Sequence, residues 1–170
     1  MNPAETLRRA LAQRGRPGVP RPTPRKGRGA VANEAGRYEA LSRETFDDGW
    51  SGEEELATLR TSLTPDSSRT IISRNQSPDI PFDCSINPYR GCEHGCVYCY
   101  ARPTHAWLGL SPGLDFESKL FYKPEAAAQL RRELAQTGYH CTPIALGANT
   151  DPYQPAERKL EVTRSILEVL

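Results

Sequence analysis

Three cysteines fall within eight residues, Cys92-Glu93-His94-Gly95-Cys96-Val97-Tyr98-Cys99, and this C-x3-C-x2-C run constrains the chain more than any other feature. Three thiolates from one short loop can hold three irons of a four-iron cluster and leave the fourth iron without a protein ligand. An incomplete shell accepts a substrate, whereas a closed one only stabilises structure. Gly91 and Gly95 suit backbone that must wrap a compact group, because glycine reaches φ angles that other residues resist. Structural zinc remains an alternative, but it prefers four ligands in paired knuckles and no second C-x2-C is present. His94 lies between two cysteines, where reaching the same ion would strain the loop. Ferredoxin spacing is C-x2-C-x2-C, so the x3 gap also speaks against a simple electron carrier.

C-x3-C-x-aromatic-C resembles the signature of the radical S-adenosylmethionine (SAM) superfamily. Flanking segments are similar to one bacterial branch of it, the spore photoproduct lyase and "DNA-repair photolyase"-like proteins. They are Asn75-Gln76-Ser77-Pro78-Asp79-Ile80-Pro81-Phe82, Ser85-Ile86-Asn87-Pro88-Tyr89-Arg90-Gly91, Tyr100-Ala101-Arg102-Pro103-Thr104-His105 and Thr150-Asp151-Pro152-Tyr153-Gln154-Pro155. The resemblance implies a [4Fe-4S] cluster on Cys92, Cys96 and Cys99, SAM on the open iron, and Tyr98 beside the adenosyl group. It implies reductive cleavage of SAM to a 5′-deoxyadenosyl radical, hydrogen abstraction from a substrate, and a flavodoxin- or ferredoxin-like electron donor. The hydrogen-donor cysteine of spore photoproduct lyase precedes the Thr/Ser-Asp loop. Here that place reads Gly147-Ala148-Asn149, and Cys141 sits at the leading end of its strand, so substrate and catalytic residues stay unassigned.

The apolar content is about 41% when Gly is counted and Tyr is not, below the usual ~45–50%, and there are 15 prolines. The deficit lies at the front. Residues 1–40 carry nine Arg/Lys against three Glu, and residues 41–66 carry two Arg against seven Asp/Glu. Residues 1–66 are therefore expected to form a low-order arm, basic then acidic, ahead of a core at 67–170. The Pro/Arg/Gly stretch from Gly15 to Gly29 cannot bury enough apolar surface to order itself. It reads as a solubilising linker or, alternatively, as a nucleic-acid arm acting by phosphate neutralisation. Residues 4–13 suit a short Arg-bearing helix. No secretory signal or membrane-spanning run is legible, and an odd cysteine count with three clustered fits a reducing, cytoplasmic compartment.

From residue 69 the pattern predicts strands at 69–73, 83–87, 119–123 and 143–148. It predicts a short helix with a Gly/Pro loop over 101–115, a helix from Pro124 ended by Gly138, and a second helix from Pro155. The strand at 143–148 reads as buried, Gln154 as a helix cap with Glu157 its partner, and Leu160, Ile166, Leu167 and Leu170 as one apolar face. Alternation of strand and helix predicts an α/β fold with parallel βα units. With the resemblance, this is the N-terminal part of a partial TIM-like (β/α) barrel, with later strands expected beyond Leu170.

Function in such sheets gathers beyond the C-terminal strand ends. The cysteine loop and Asn149-Thr150-Asp151 both follow strands there, which makes Asn149, Thr150 and Asp151 candidate SAM contacts. Asp151-Pro152 also reads as an ordinary turn. Lys123, at the end of its own strand, has the same geometric claim but reads first as a snorkelling surface lysine, and Cys84 as a buried thiol rather than a fourth ligand. Two other readings stay open: a nucleic-acid-binding module with a structural metal, and a cluster-binding remnant without catalysis.

Overall fold

The computed structural model describes residues 24–39 and 59–170. The helix expected at 4–13 and most of the acidic stretch lie outside the described residues. Two three-stranded sheets carry the fold. One runs β1 (Ser62–Pro65), β5 (Lys119–Tyr122), β4 (Tyr89–Arg90), and the other β2 (Ile72–Arg74), β3 (Cys84–Ile86), β6 (Ile144–Leu146). β3 pairs parallel with β6, as βα alternation leads one to expect, and β1 pairs parallel with β5. β2 and β4 join antiparallel, so both sheets are mixed rather than wholly parallel. These are small mixed sheets with no closed barrel among the described residues.

Asn87-Pro88 carries the chain from β3 in one sheet to β4 in the other. Proline has no N–H to give to the ladder, so a strand stops there readily. The same corner positions the cysteine loop, which leaves β4 directly. Cys84, Ser85 and Ile86 are all buried, as a central strand requires. β6 is only half-buried along its length because it lies at the sheet's edge, which corrects the buried strand expected at 143–148.

α1 (Leu114–Ser118) follows a 3-10 helix at Arg102–Leu108, and α2 (Ala126–Leu134) follows β5. α2 begins two residues after Pro124 because its first turn closes by a three-residue bond from Ala126 N to Lys123 O at 3.2 Å. Gly138, expected at its C′ position, instead occupies a later turn at φ 90°. Ala126 and Leu130 pack with Ile71, Ile86, Tyr89, Ala156, Val162 and Ile166 in the principal core.

The final helix is interrupted. α3 (Glu157–Leu160) and α4 (Val162–Leu167) are separated by Glu161 at φ 48°. The Glu157 carboxylate accepts from Thr163 N and Arg164 N, both at 3.0 Å, and from the Tyr89 hydroxyl. It caps α4 instead of pairing with Gln154. The interruption turns Ile166 into the core and leaves Leu167 and Leu170 exposed, so the expected four-leucine-class face is not formed.

Order also begins earlier than residue 66. β1 lies inside the stretch expected to be an arm, and residues 24–39 pack on the core. Asn33 and Asp115 exchange two bonds, Nδ2 to Oδ1 at 3.0 Å and backbone N to Asn33 Oδ1 at 2.8 Å. Burial pushes the Asp115 carboxyl up, but donors from Lys119, Ser111 and Asn33 together outweigh it and hold the group below its ordinary range. Arg28 donates to the carbonyls of Glu117 and Leu59 and to the Thr61 hydroxyl. That arginine is tied into the protein's interior at the end of the stretch expected to be a linker, whose residues 15–23 lie outside the described residues.

Candidate metal centre

Gly91 starts the cysteine loop and cannot be replaced cheaply. Its φ is 79°, and a Cβ there would lie 2.7 Å from Leu120 Cδ2, 2.8 Å from Phe116 O and 2.9 Å from His105 Cε1. Gly91→Ala combines that crowding with a left-handed backbone costing about 1–2 kcal/mol. A melting temperature at least about 2–8 °C lower is expected by calorimetry, at about 2–4 °C per kcal/mol for a chain of this size.

Gln154 clamps the loop from the opposite segment. It is 0% exposed, accepts from Glu93 N at 3.3 Å and donates to Gly91 O at 3.2 Å. It satisfies the loop backbone rather than capping a helix. His94 Nδ1 lies 3.1 Å from Asp151 Oδ2, and the Tyr100 hydroxyl donates to Ala148 O. Arg102 holds the far side, giving Nε and Nη2 to Cys96 O at 3.1 and 3.0 Å. The two loops expected on one rim therefore do meet.

Cys92 is buried, and Cys99 packs beside it against Ala101 and Phe116. Burial pushes the Cys92 thiol up, while backbone hydrogen bonds at His94 and Asp151 pull it back toward the thiolate. Cys96 is half-buried and stands outside that apolar cluster. The donor set fits a four-iron cluster in kind, as three soft sulfurs on one loop. Among the described residues, no three Cys, His, Asp or Glu side chains are drawn together as a ligand group. A cluster would have to gather the third thiol.

Of the other residues singled out, Tyr98 is 85% exposed on the same loop. Asn149 donates its amide to Asn87 Oδ1 at 2.8 Å, and the buried Thr150 donates its hydroxyl to Tyr89 O at 3.0 Å. Asp151 turns its second oxygen back to Tyr153 N at 2.8 Å, so its turn role and its place beside the cysteine loop coexist. Cys84 is buried at the entering end of β3, near Arg74 and Thr142, while the cysteine loop follows the other end of the β3–β4 run. Cys141 is an exposed free thiol. Lys123 is only 7% exposed, its stem buried and its side chain lining a cleft. Sequence reasoning missed Gln154's clamp, Glu117 and Arg102, because nothing local marks a polar residue as the partner of a distant loop.

Comparison with known proteins adds relatives but no activity. No family model matches the chain, and no solved structure matches it. Uncharacterized proteins of Mycobacterium bovis and of two Mycobacterium tuberculosis strains, CDC 1551 / Oshkosh and H37Rv, are each 45% identical to it over 91 residues. That stretch is 54% of this chain and 27% of each relative, so the chain spans about a quarter of the length of the curated relatives it matches.

Proposed function

We propose that this chain carries the cluster-binding part of a radical SAM enzyme: Cys92, Cys96 and Cys99 hold a [4Fe-4S] cluster, and SAM occupies its open iron. The fold proposed for the whole enzyme is a partial (β/α) barrel to which β3, β6 and the helices between them contribute. The observation that carries this reading is the meeting of the three-cysteine loop with the Asn149–Asp151 loop, fastened by His94–Asp151, Tyr100–Ala148 and the Gln154 clamp.

When bound, a reduced cluster with SAM supplies reductive cleavage of SAM and, through it, hydrogen abstraction from a substrate. The chain's own residues supply position. Gln154 and Arg102 occupy the carbonyls of Gly91 and Cys96, which fixes both ends of the stretch between the first two cysteines. Burial holds the free Cys92 thiol above its ordinary range, with backbone hydrogen bonds at His94 and Asp151 only partly offsetting it, so a bound metal would have to displace its proton. Tyr98, exposed on the same loop, would be the residue to lie against the adenine. The exposed Asn149 and Asp151 would offer polar groups from the facing loop, with the buried Thr150 holding that loop through Tyr89 O.

Anaerobic reconstitution tests the proposal. About four irons and four sulfides per chain are expected, with an EPR signal of the reduced protein that changes when SAM is added. Zinc retained without iron overturns the cluster, and an iron–sulfur signal indifferent to SAM overturns the SAM site.

A further inference from the structure

β5 leads into a lysine whose surroundings do not account for its charge. Lys123 is 7% exposed and donates its backbone N–H to Pro88 O at 3.1 Å. Its ammonium makes no hydrogen bond or ion pair among the described residues. Burial is the main influence lowering its pKa; Asp66 and Glu133 oppose that from a distance, and Arg90 adds to it. Burying a charge is costly unless it is paired and hydrogen-bonded, so an acceptor reaching this ammonium would be favoured.

The lysine lines a cleft of about 400 Å³ together with Arg90, Asn87, Asn149, Ser73 and the exposed Trp107. No acidic residue lines it among the described residues. Arg90 gives Nε to Asp66 at 2.9 Å, which leaves its terminal nitrogens as donors. Asn87 spends its oxygen on the Asn149 amide, which leaves its side-chain nitrogen as a donor too. An ammonium, a guanidinium that is paired with Asp66 through Nε but keeps its terminal nitrogens, and a side-chain amide converging on one concavity suit an oxyanion.

We propose that this cleft binds a phosphate or carboxylate group of a small molecule other than SAM, with Lys123 as the charge that meets it. The site draws on β4, β5 and the corner at Asn87, and it borders the Asn149–Thr150 edge proposed to face SAM. Its two cationic contacts, Lys123 and Arg90, lie outside that proposed SAM set, so it stands whether or not the cysteine loop holds a cluster.

Calorimetric titration and thermal melts of the full chain with sodium phosphate or sodium acetate, against sodium chloride at equal ionic strength, test it. Phosphate, acetate or both should bind, which also identifies the class of anion. At about ten times Kd, the bound anion should raise the melting temperature by about 3–6 °C. Lys123→Met should abolish that rise while melting no lower than the parent without anion, since it removes an unpaired buried charge. A lysine with a structural role would melt lower. Arg90→Gln should weaken binding about tenfold, the loss of one charge-assisted hydrogen bond, and Lys159→Met, at an exposed position, should leave it unchanged. Absence of binding by both anions to the parent protein, or an undiminished response in Lys123→Met, overturns the proposal. So does displacement of the bound anion by an equal concentration of SAM.

Discussion

Replacing Glu117 with alanine is expected to lower the melting temperature by about 6–20 °C. Its carboxylate is 0% exposed and accepts three donors: Gly29 N at 3.0 Å, Ala30 N at 2.9 Å and an Nη of Arg102. Arg102 spans outward from there, reaching Cys96 O, Pro112 O and Gly113 O, and its guanidinium lies 5.4 Å from the Phe116 ring centroid. Removing the carboxylate strands a mostly buried guanidinium without its counter-charge and orphans two backbone amides. Breaking a buried pair from one side costs about 3–5 kcal/mol, and each kcal/mol is worth about 2–4 °C in a chain of this length.

The same change should loosen two distant segments at once. Hydrogen exchange at the Gly29 and Ala30 amides should accelerate, and so should exchange at Cys99, whose amide bonds to Cys96 O at 3.2 Å in the turn Arg102 secures. Glu117→Gln keeps the volume but turns an N–H₂ toward groups that are themselves donors, so it should recover only part of the loss. Unchanged melting in Glu117→Ala would mean that the strap at residues 28–30 is held by packing instead. That packing is close: a Cβ on Gly29 would fall 1.8 Å from Gly95 O.

The contrast between Glu117 and β3 shows which features a one-dimensional pattern can carry. Strands β3 and β5 were legible because apolar runs end at turn-forming residues, Asn87-Pro88 in one case and Pro124 in the other. α2 was legible because an alanine-rich run follows a proline and presents Leu130 and Leu134 to the core. Each of those signals is local. Glu117 looks like any acidic residue of a short helix, and only the return of residues 28–30, nearly ninety positions away, makes it a buried acceptor. Gln154 stands before a proline, as a helix cap would, yet a tertiary contact with Gly91 and Glu93 takes its side chain. Glu161 has no glycine to announce a left-handed residue, and the break after α3 is imposed by Glu157 capping α4. Polar partners far apart in sequence are where local reading stops, and those partners hold the cysteine loop in place.

Single alanine substitutions of Cys92, Cys96 and Cys99 should each cut reconstituted iron to below about a tenth of the parent value and erase the EPR signal, because a four-iron cluster held by only two thiolates lacks the protein ligation it needs. Alanine at Cys84 or Cys141 should leave iron content intact. The Cys84 comparison decides the most, since a fourth thiolate would close the shell and remove the open iron on which SAM binding depends. Cys84 lies on β3 between Arg74 and Ile144, with its sulfur 3.8 Å from Arg74 Nη1 and 3.7 Å from Thr142 Oγ1. The cysteine loop leaves β4, beyond the Asn87-Pro88 corner, so reaching it would require Cys84 to abandon a buried central strand. Cys84→Ala should therefore cost only about 1 kcal/mol of stability, the order expected for removing one buried methyl-sized group, with iron and the SAM-dependent EPR change retained. Loss of iron in Cys84→Ala would make the site a closed four-thiolate centre, and the SAM half of the proposal would fall with it.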